Sequence, residues 1–323
     1  EIRNSPSRKD GISEVLEKEY RRKTCFFIKA AGKSLDLPME AIATAHVFFH
    51  RFFILQSFHQ HDRFVVASAC VFLASKVEES PRKVEHIVIQ CHAIWTRAKK
   101  PLESKDKCFR RLREKVLIAE RCLLNTLSFQ LSVQHPYTEA TSHLRNLKQL
   151  GEVGNVGSGD ISHGGWGDTG PGRERSRNRQ LLQATISMVN DSLLTTLCLQ
   201  YTPREVAAGV VYLTHLFMDM PRGDISLLGV EEVVVSDICD QILALYDKRG
   251  ACHDTLVVTG LRDLLKSRLD SVPPASIQDI PRISPTDPAS PATPQRRLGS
   301  PRPATKPGAG ADSNGGGEGA NGV

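Results

Sequence analysis

A chain of 323 residues, 24% charged and 6% aromatic, has room for two domains of ordinary size, each with a mainly aliphatic core. Its eight cysteines form no C-x-x-C pair, which excludes a zinc ribbon or a disulfide framework and fits a reducing compartment. The formal net charge of +6 is unevenly placed: residues 1–150 hold roughly 26 Lys and Arg against about 16 Asp and Glu, which permits RNA or an acidic regulator as partner.

Ser5 to Gly11 reads as a short capped turn or small helix stopped by Gly11. A long helix is expected from Ser13 to Gly32, carrying Leu16, Tyr20, Cys25, Phe27 and Ile28. Leu37-Pro38 opens the next, Met39 to about Ser57, packed through Val47, Phe48, Phe49, Phe52 and Phe53. The third, Arg63 to Pro81, organises the rest. From Phe64 to Ala74 it has no charge, and its apolar residues run right round the helical wheel, so it is expected to be buried on every side. Ala67, Ser68, Ala69, Cys70, Ala74 and Ser75 keep it thin enough for close packing. Lys76, Glu78 and Glu79 then arrive together, and Pro81 biases Ser80 out of the α region. A buried helix that surfaces in a charged end marks a site at its tip. A fourth helix from Pro81 towards Trp95 and a fifth from about Asp106 to Leu127 complete this half, with no β-alternation.

His135-Pro136 starts a second series. Tyr137 to Leu150 reads as a helix, followed by about nine glycines between Gly151 and Gly172, a flexible insertion. Its G-x-x-G-x-G fragments follow no strand and precede no suitably spaced lysine, so no nucleotide cradle is expected. Arg173 to Leu199 is again helical, and Thr202-Pro203 begins another helix. There Val206 to Leu213 repeats the texture of Val66 to Leu73 at an offset of 140 residues, so the domain is expected to occur twice. A final helix from about Val230 to Lys248 closes the second copy, and the short space from Met218 to Gly229 makes that copy abbreviated. Leu256 to Leu269 adds an amphipathic stretch. Beyond Ser271 there is almost no large apolar residue to offset ordering entropy, and a disordered tail is expected. It carries Ser284-Pro285, Ser290-Pro291, Thr293-Pro294 and Ser300-Pro301, a pattern suited to a proline-directed kinase. The resulting organisation is 1–134, 135–250 with the 151–172 insertion, and 251–323.

Little in the chain points to catalysis. His46 and His50 have the spacing of a zinc-peptidase helix, but the general-base position between them is Val47; His59, His61 and Asp62 supply no third ligand at a known spacing. No metal or cofactor is expected, and no apolar span or signal sequence points to a membrane. Two charges are out of place. Glu120 has only Val116, Leu117, Leu123 and Leu124 within helical reach, and Lys76 sits where the buried helix surfaces. Spacing leaves two readings open: a plain Lys76–Glu120 bridge, or Lys76 with Glu79, against a shared patch for a partner.

The run Leu73-Ala74-Ser75-Lys76-Val77-Glu78-Glu79, followed by Glu120 ahead of Leu123-Leu124-Asn125-Thr126-Leu127-Ser128-Phe129, resembles the cyclin box. Phe49-His50-Arg51-Phe52, Gln134-His135-Pro136-Tyr137 and Asn190-Asp191-Ser192 are similar to transcriptional cyclins of the T and K types. The Ser5–Gly11 opening and Leu199-Gln200-Tyr201-Thr202-Pro203 lean towards the T type. The resemblance covers about residues 5–250. It implies an all-α fold of two tandem five-helix cyclin-box domains, the second abbreviated, and a nuclear regulatory subunit rather than an enzyme. The implied partner is a cyclin-dependent kinase that phosphorylates the C-terminal repeats of RNA polymerase II. It also implies kinase contacts from Lys76 and Glu120, with Val77, Glu78 and Leu117 beside them. Cell-cycle members join a substrate-docking sequence in the first box helix to the second through an Arg–Asp pair. Here those positions read Tyr20-Arg21-Arg22-Lys23-Thr24, with His50 in place of the aspartate. Cyclin boxes also occur in basal transcription factors that bridge DNA and polymerase without a kinase, a role the basic first half would suit.

Overall fold

A computed structural model of the protein describes residues 4–97, 102–154, 171–218 and 229–247, and all regular structure among them is helical. The first set comprises α1 (Pro6–Lys9), α2 (Glu14–Ser34), α3 (Met39–Leu55), α4 (Arg63–Val77), α5 (Val84–Thr96) and α6 (Lys107–Thr126). The second comprises α7 (Pro136–Gly154), α8 (Pro171–Ser192), α9 (Leu197–Gln200), α10 (Pro203–Phe217) and α11 (Glu232–Asp247).

Local chemistry sets most of these ends. The Ser13 hydroxyl accepts the Leu16 amide at the start of α2, and the Asp62 carboxylate accepts the Phe64 and Val65 amides at the start of α4. Thr202 and Glu205 form a reciprocal capping box on α10, with Pro203 in the first turn. Three ends close by the same pair of backbone bonds. For α4 these run from the Ser80 amide to the Ser75 carbonyl (2.9 Å) and from the Glu79 amide to the Lys76 carbonyl (3.3 Å). The residue that must turn left-handed there is Glu79, φ 50°; Asp36 after α2 and Ser128 after α6 do the same without glycine.

The central helix is as the sequence implies: every residue from Val65 to Ser75 is buried. It is shorter, ending at Val77, because Glu78 and Glu79 belong to its cap. Around it the first core gathers Phe48, Phe49, Phe52 and Phe53 from α3, Ile28 from α2, Ile87 from α5 and Leu123 from α6. A separate second core surrounds α10 with Val189, Val235, Ile238 and Ile242. The two central helices, Arg63–Val77 and Pro203–Phe217, have 15 residues each and lie 140 apart.

Three expected boundaries differ. Gly32 does not end α2; a Cβ there would lie 2.5 Å from Ile42 Cγ1, so this glycine makes room for Ile42 of α3 to pack close against α2. The helix expected from Arg173 to Leu199 is broken after Ser192, where the Leu193 carbonyl is taken by His50 Nε2 at 3.0 Å. Finally, α7 and α8 extend into the glycine-rich segment from both sides. The rest of that segment, the 219–228 connection, the 256–269 stretch and the tail lie outside the described residues.

The seam between the two sets is polar as well as apolar. Ala43 and Val47 of α3 pack with Leu193, and Leu194 and Leu245 from the second set join the first core. His50 is fully buried, and burial beside the Arg21 cation lowers its pKa to about 3, so it is neutral and donates from Nε2 to Leu193. His46 is also buried, with Nδ1 2.7 Å from the Ile42 carbonyl and Nε2 3.0 Å from the Cys25 carbonyl. Burial outweighs those two contacts and lowers its pKa to about 4. The zinc-like spacing of this pair therefore serves backbone hydrogen bonds.

Candidate functional site

The last turn of α4 brings the two misplaced charges together. Lys76 Nζ lies against Glu120 Oε1 of α6 as an ion pair, and that oxygen has no further partner among the described residues. The pair is asymmetric: the lysine side chain is 42% exposed and the glutamate 10%. The ammonium also sits 4.1 Å from the centroid of the Phe72 ring, one turn back on the same helix, a cation–π contact. Leu117 and Val77 lie beside the pair in sequence and are partly buried against the first core, so they support the tip.

Glu78 is turned elsewhere. Thr44 Oγ1 of α3 lies 2.7 Å from Glu78 Oε1 and 2.7 Å from His135 Nε2. A hydroxyl has one proton, which goes to the carboxylate, so His135 must donate from Nε2 to the threonine oxygen. Burial lowers the His135 pKa, with the Glu78 carboxylate pulling the other way. This His135–Thr44–Glu78 chain ties the cap of α4 to the segment that enters the second set. Glu78, close to Lys76 in the sequence, thus anchors the tip through the oxygen that accepts from Thr44.

Sequence reasoning also missed three residues near the pair in sequence. Phe72 sits beneath the lysine, and its i, i+4 spacing to Lys76 was the available signal. Ile118 is 54% exposed in the middle of α6, and Phe129 is 66% exposed just beyond its end. Phe129 has φ 58°, following Ser128 at 50°, so two successive non-glycine residues are left-handed there. Such strain is not readable from sequence.

Arg21, at the position of the Arg–Asp pair expected in cell-cycle members, is also engaged differently. Arg21 is only 4% exposed, and its charge partner is Glu17 on its own helix, 2.8 Å away. It reaches α3 through backbone oxygens, with Nη2 2.7 Å from the Phe53 carbonyl and Nη1 3.4 Å from that of His50.

Two helical sets, each wrapped on a buried central helix, carry a charged pair at the first helix's tip, an all-helical arrangement of the cyclin type. Residues 1–132 match the cyclin N-terminal domain. The chain is 33% identical over 265 residues to cyclin-T1-2 of Arabidopsis thaliana, covering 79% of this chain and 51% of that protein. It is 31% identical over 260 residues to cyclin-K of Homo sapiens, covering 77% and 40%. It thus spans about half, or less, of the length of these relatives. It shares its fold with a chain of the yeast RNA Pol II CTD kinase CTDK-1 complex (TM-score 0.56, 17% identity, covering 75% of this chain and 70% of that one). The protein belongs to the cyclin family, and within it to the T/K type.

Proposed function

We propose that this cyclin is the activating subunit of a cyclin-dependent protein kinase, and that the kinase docks on the tip of α4. The observation that carries this reading is the Lys76–Glu120 pair, surfacing from a helix otherwise buried on every side. An ammonium has three donors and a carboxylate about four acceptor positions, so their mutual contact leaves most of both unused. Together they can bind backbone carbonyls and amides of one partner helix, with Leu117 and Val77 as the apolar floor and Glu78 holding the cap. The cyclin does no phosphoryl transfer; it biases the kinase's regulatory helix so that the kinase's own Lys–Glu ion pair forms. In this reading residues 1–134 and 135–250 are the two boxes. Only the first binds the kinase, since Leu216 of the second occupies the position of Lys76 at the 140-residue offset.

The proposed substrate is the C-terminal repeat domain of RNA polymerase II, in the nucleus, with promotion of transcription elongation as the outcome. The support is the T/K relationship and the fold shared with a chain of a polymerase C-terminal-domain kinase complex. Affinity purification from the native cell, identification of the co-eluting kinase, and assay of the complex on polymerase repeats test this. Recovery of no kinase, together with salt-sensitive binding of the free protein to DNA, would instead support a basal-transcription adaptor.

A further inference from the structure

The short helix α1 is held by a buried polar network that the proposed kinase contact does not use. Ser5 is 1% exposed, and its hydroxyl donates to Glu17 Oε2 at 2.7 Å. Glu17 is itself buried and is shared with Arg21, while Arg8 of α1 lies 3.6 Å from the same oxygen. Two residues on, Ser7 is fully buried and its hydroxyl accepts the Phe58 amide at 3.0 Å. So α1, four residues long, is docked by two serine hydroxyls, one of them facing a buried carboxylate. The sequence around that serine is Ser5-Pro6-Ser7-Arg8, with proline directly after the hydroxyl residue and a cation three positions on. This is the pattern that proline-directed kinases read.

We propose that Ser5 is a phosphorylation site for a proline-directed kinase, and that phosphate at Ser5 releases α1 from the first cyclin box. In the step, Ser5 Oγ bonds to the γ-phosphorus of ATP as the bond to the bridging oxygen breaks. ADP leaves, and the hydroxyl proton goes to the kinase's base. The product carries about −1.5 to −2 charge where a neutral hydroxyl touched a carboxylate. Both nearby arginines are already engaged, Arg21 by Glu17 and Arg8 by Glu14 at 3.2 Å and by Glu17. The phosphate therefore meets like charge and loses its water in the same place, and the docked state is disfavoured. Access comes from local opening: a four-residue helix docked through two serine hydroxyls is a low-stability element, and a phosphate added while it is open prevents redocking. Ser7 is not followed by proline and should remain unmodified.

The experiment uses the full chain with phosphoserine genetically encoded at position 5, in the wild-type and Glu17→Gln backgrounds. Amide hydrogen exchange of residues 4–12 and of Phe58 is the readout. Phosphate in the wild-type background should speed exchange there at least tenfold and leave α4 unchanged. In Glu17→Gln, where the amide oxygen can still accept from Arg21 but the repelling charge is gone, the acceleration should shrink or reverse. Unchanged protection in the wild-type background, or equal acceleration in both, overturns the electrostatic release. Separately, wild-type protein is incubated with ATP and a purified cyclin-dependent kinase complex of known Ser/Thr-Pro specificity, then mapped by mass. Phosphate on Ser5 and not on Ser7 supports the site. Modification of the Ser/Thr-Pro residues of the 284–301 segment with none on Ser5 in the same sample overturns it.

Discussion

Lys76→Ala and Glu120→Ala remove opposite halves of one contact, yet the structure makes their costs unequal. Without Lys76, the Glu120 carboxylate, 10% exposed, loses the ammonium at Oε1. Leaving such an acceptor unsatisfied costs about 1–3 kcal/mol, and the lost contact with Phe72 adds about 0.5–1 kcal/mol. Without Glu120, the lysine is already 42% exposed and turns to water. The loss is then that of a surface pair, about 0–1 kcal/mol. Thermal melts of the free cyclin should place Lys76→Ala on the order of 5 °C below wild type and Glu120→Ala within about 2 °C. The double variant should melt above Lys76→Ala, because no orphaned charge remains. Kinase affinity, measured by titration calorimetry, should behave differently: each single change weakens it at least about tenfold, or 1.4 kcal/mol, and the double variant recovers none of it. Wild-type affinity in both single variants would move the kinase site off the α4 tip. A larger melting loss for Glu120→Ala than for Lys76→Ala would refute the burial argument.

Other consequences follow from the core and the termini. His46 and His50 have folded pKa values lowered to about 4 and about 3, below an unfolded value near 6.5, so the unfolded state takes up protons first as the pH falls. Stability should therefore be constant above about pH 7 and decline from about 6.5 towards 4, by up to about 1.4 kcal/mol per pH unit for each histidine; equal urea midpoints at pH 7 and pH 5 would contradict this. Gly209→Ala would place a Cβ 2.5 Å from Ile238 Cγ2 and 2.9 Å from Ile238 Cβ. That β-branched neighbour yields little, so overpacking of about 1–3 kcal/mol should outweigh the gain of up to about 1 kcal/mol in helix propensity, and a raised melting temperature would refute it. Deleting residues 271–323, a Pro-, Ser- and Gly-rich stretch whose large apolar residues are few (Ile277, Ile280, Ile283 and Leu298, with two valines), should leave melting temperature and kinase affinity unchanged; a loss of several degrees would show that they pack.

The parts legible in the sequence were those governed by periodicity and by turn chemistry. An uncharged run from Phe64 to Ala74 has one solution, a helix buried all round, and the same texture from Val206 marks the helix at the heart of the second core. Thr202-Pro203 announced the start of α10 and Gly11 the stop after α1, the latter at φ 87°. What stayed hidden depends on where elements meet. Gly32 has the composition of a helix stop, and only the closeness of Ile42 explains why it lies inside α2. The break after Ser192 has no proline or glycine to signal it; the demand comes from His50, 143 residues earlier. Glu78 has the same neighbours in sequence as Lys76, yet Thr44 and His135 turn it away from the pair. Long-range polar partners of this kind leave no periodic trace.

The two central helices show why one copy can hold a charged site and the other cannot. Both have a buried run at the same offset, and both begin at a side-chain cap, Asp62 in one and Thr202 in the other. They diverge in the last turn. Ser75, Lys76 and Val77 correspond to His215, Leu216 and Phe217; Leu216 packs against the second core and Phe217 is 54% exposed. A lysine is tolerable in such a helix only where its stem can lie along apolar surface while its ammonium reaches water or a carboxylate. In the first copy α6 supplies that carboxylate, and the α4 cap is fixed by the Glu79 turn and by Thr44 on Glu78. In the second, the corresponding side chain is committed to its own core. Leu216→Ala should therefore cost stability, about 1–3 kcal/mol for a partly buried leucine, while binding by the folded fraction stays at wild-type affinity. Weakened kinase binding in that variant, measured at matched folded fraction, would mean that the second copy shares the kinase contact, and the asymmetry argued from Lys76 and Leu216 would fall.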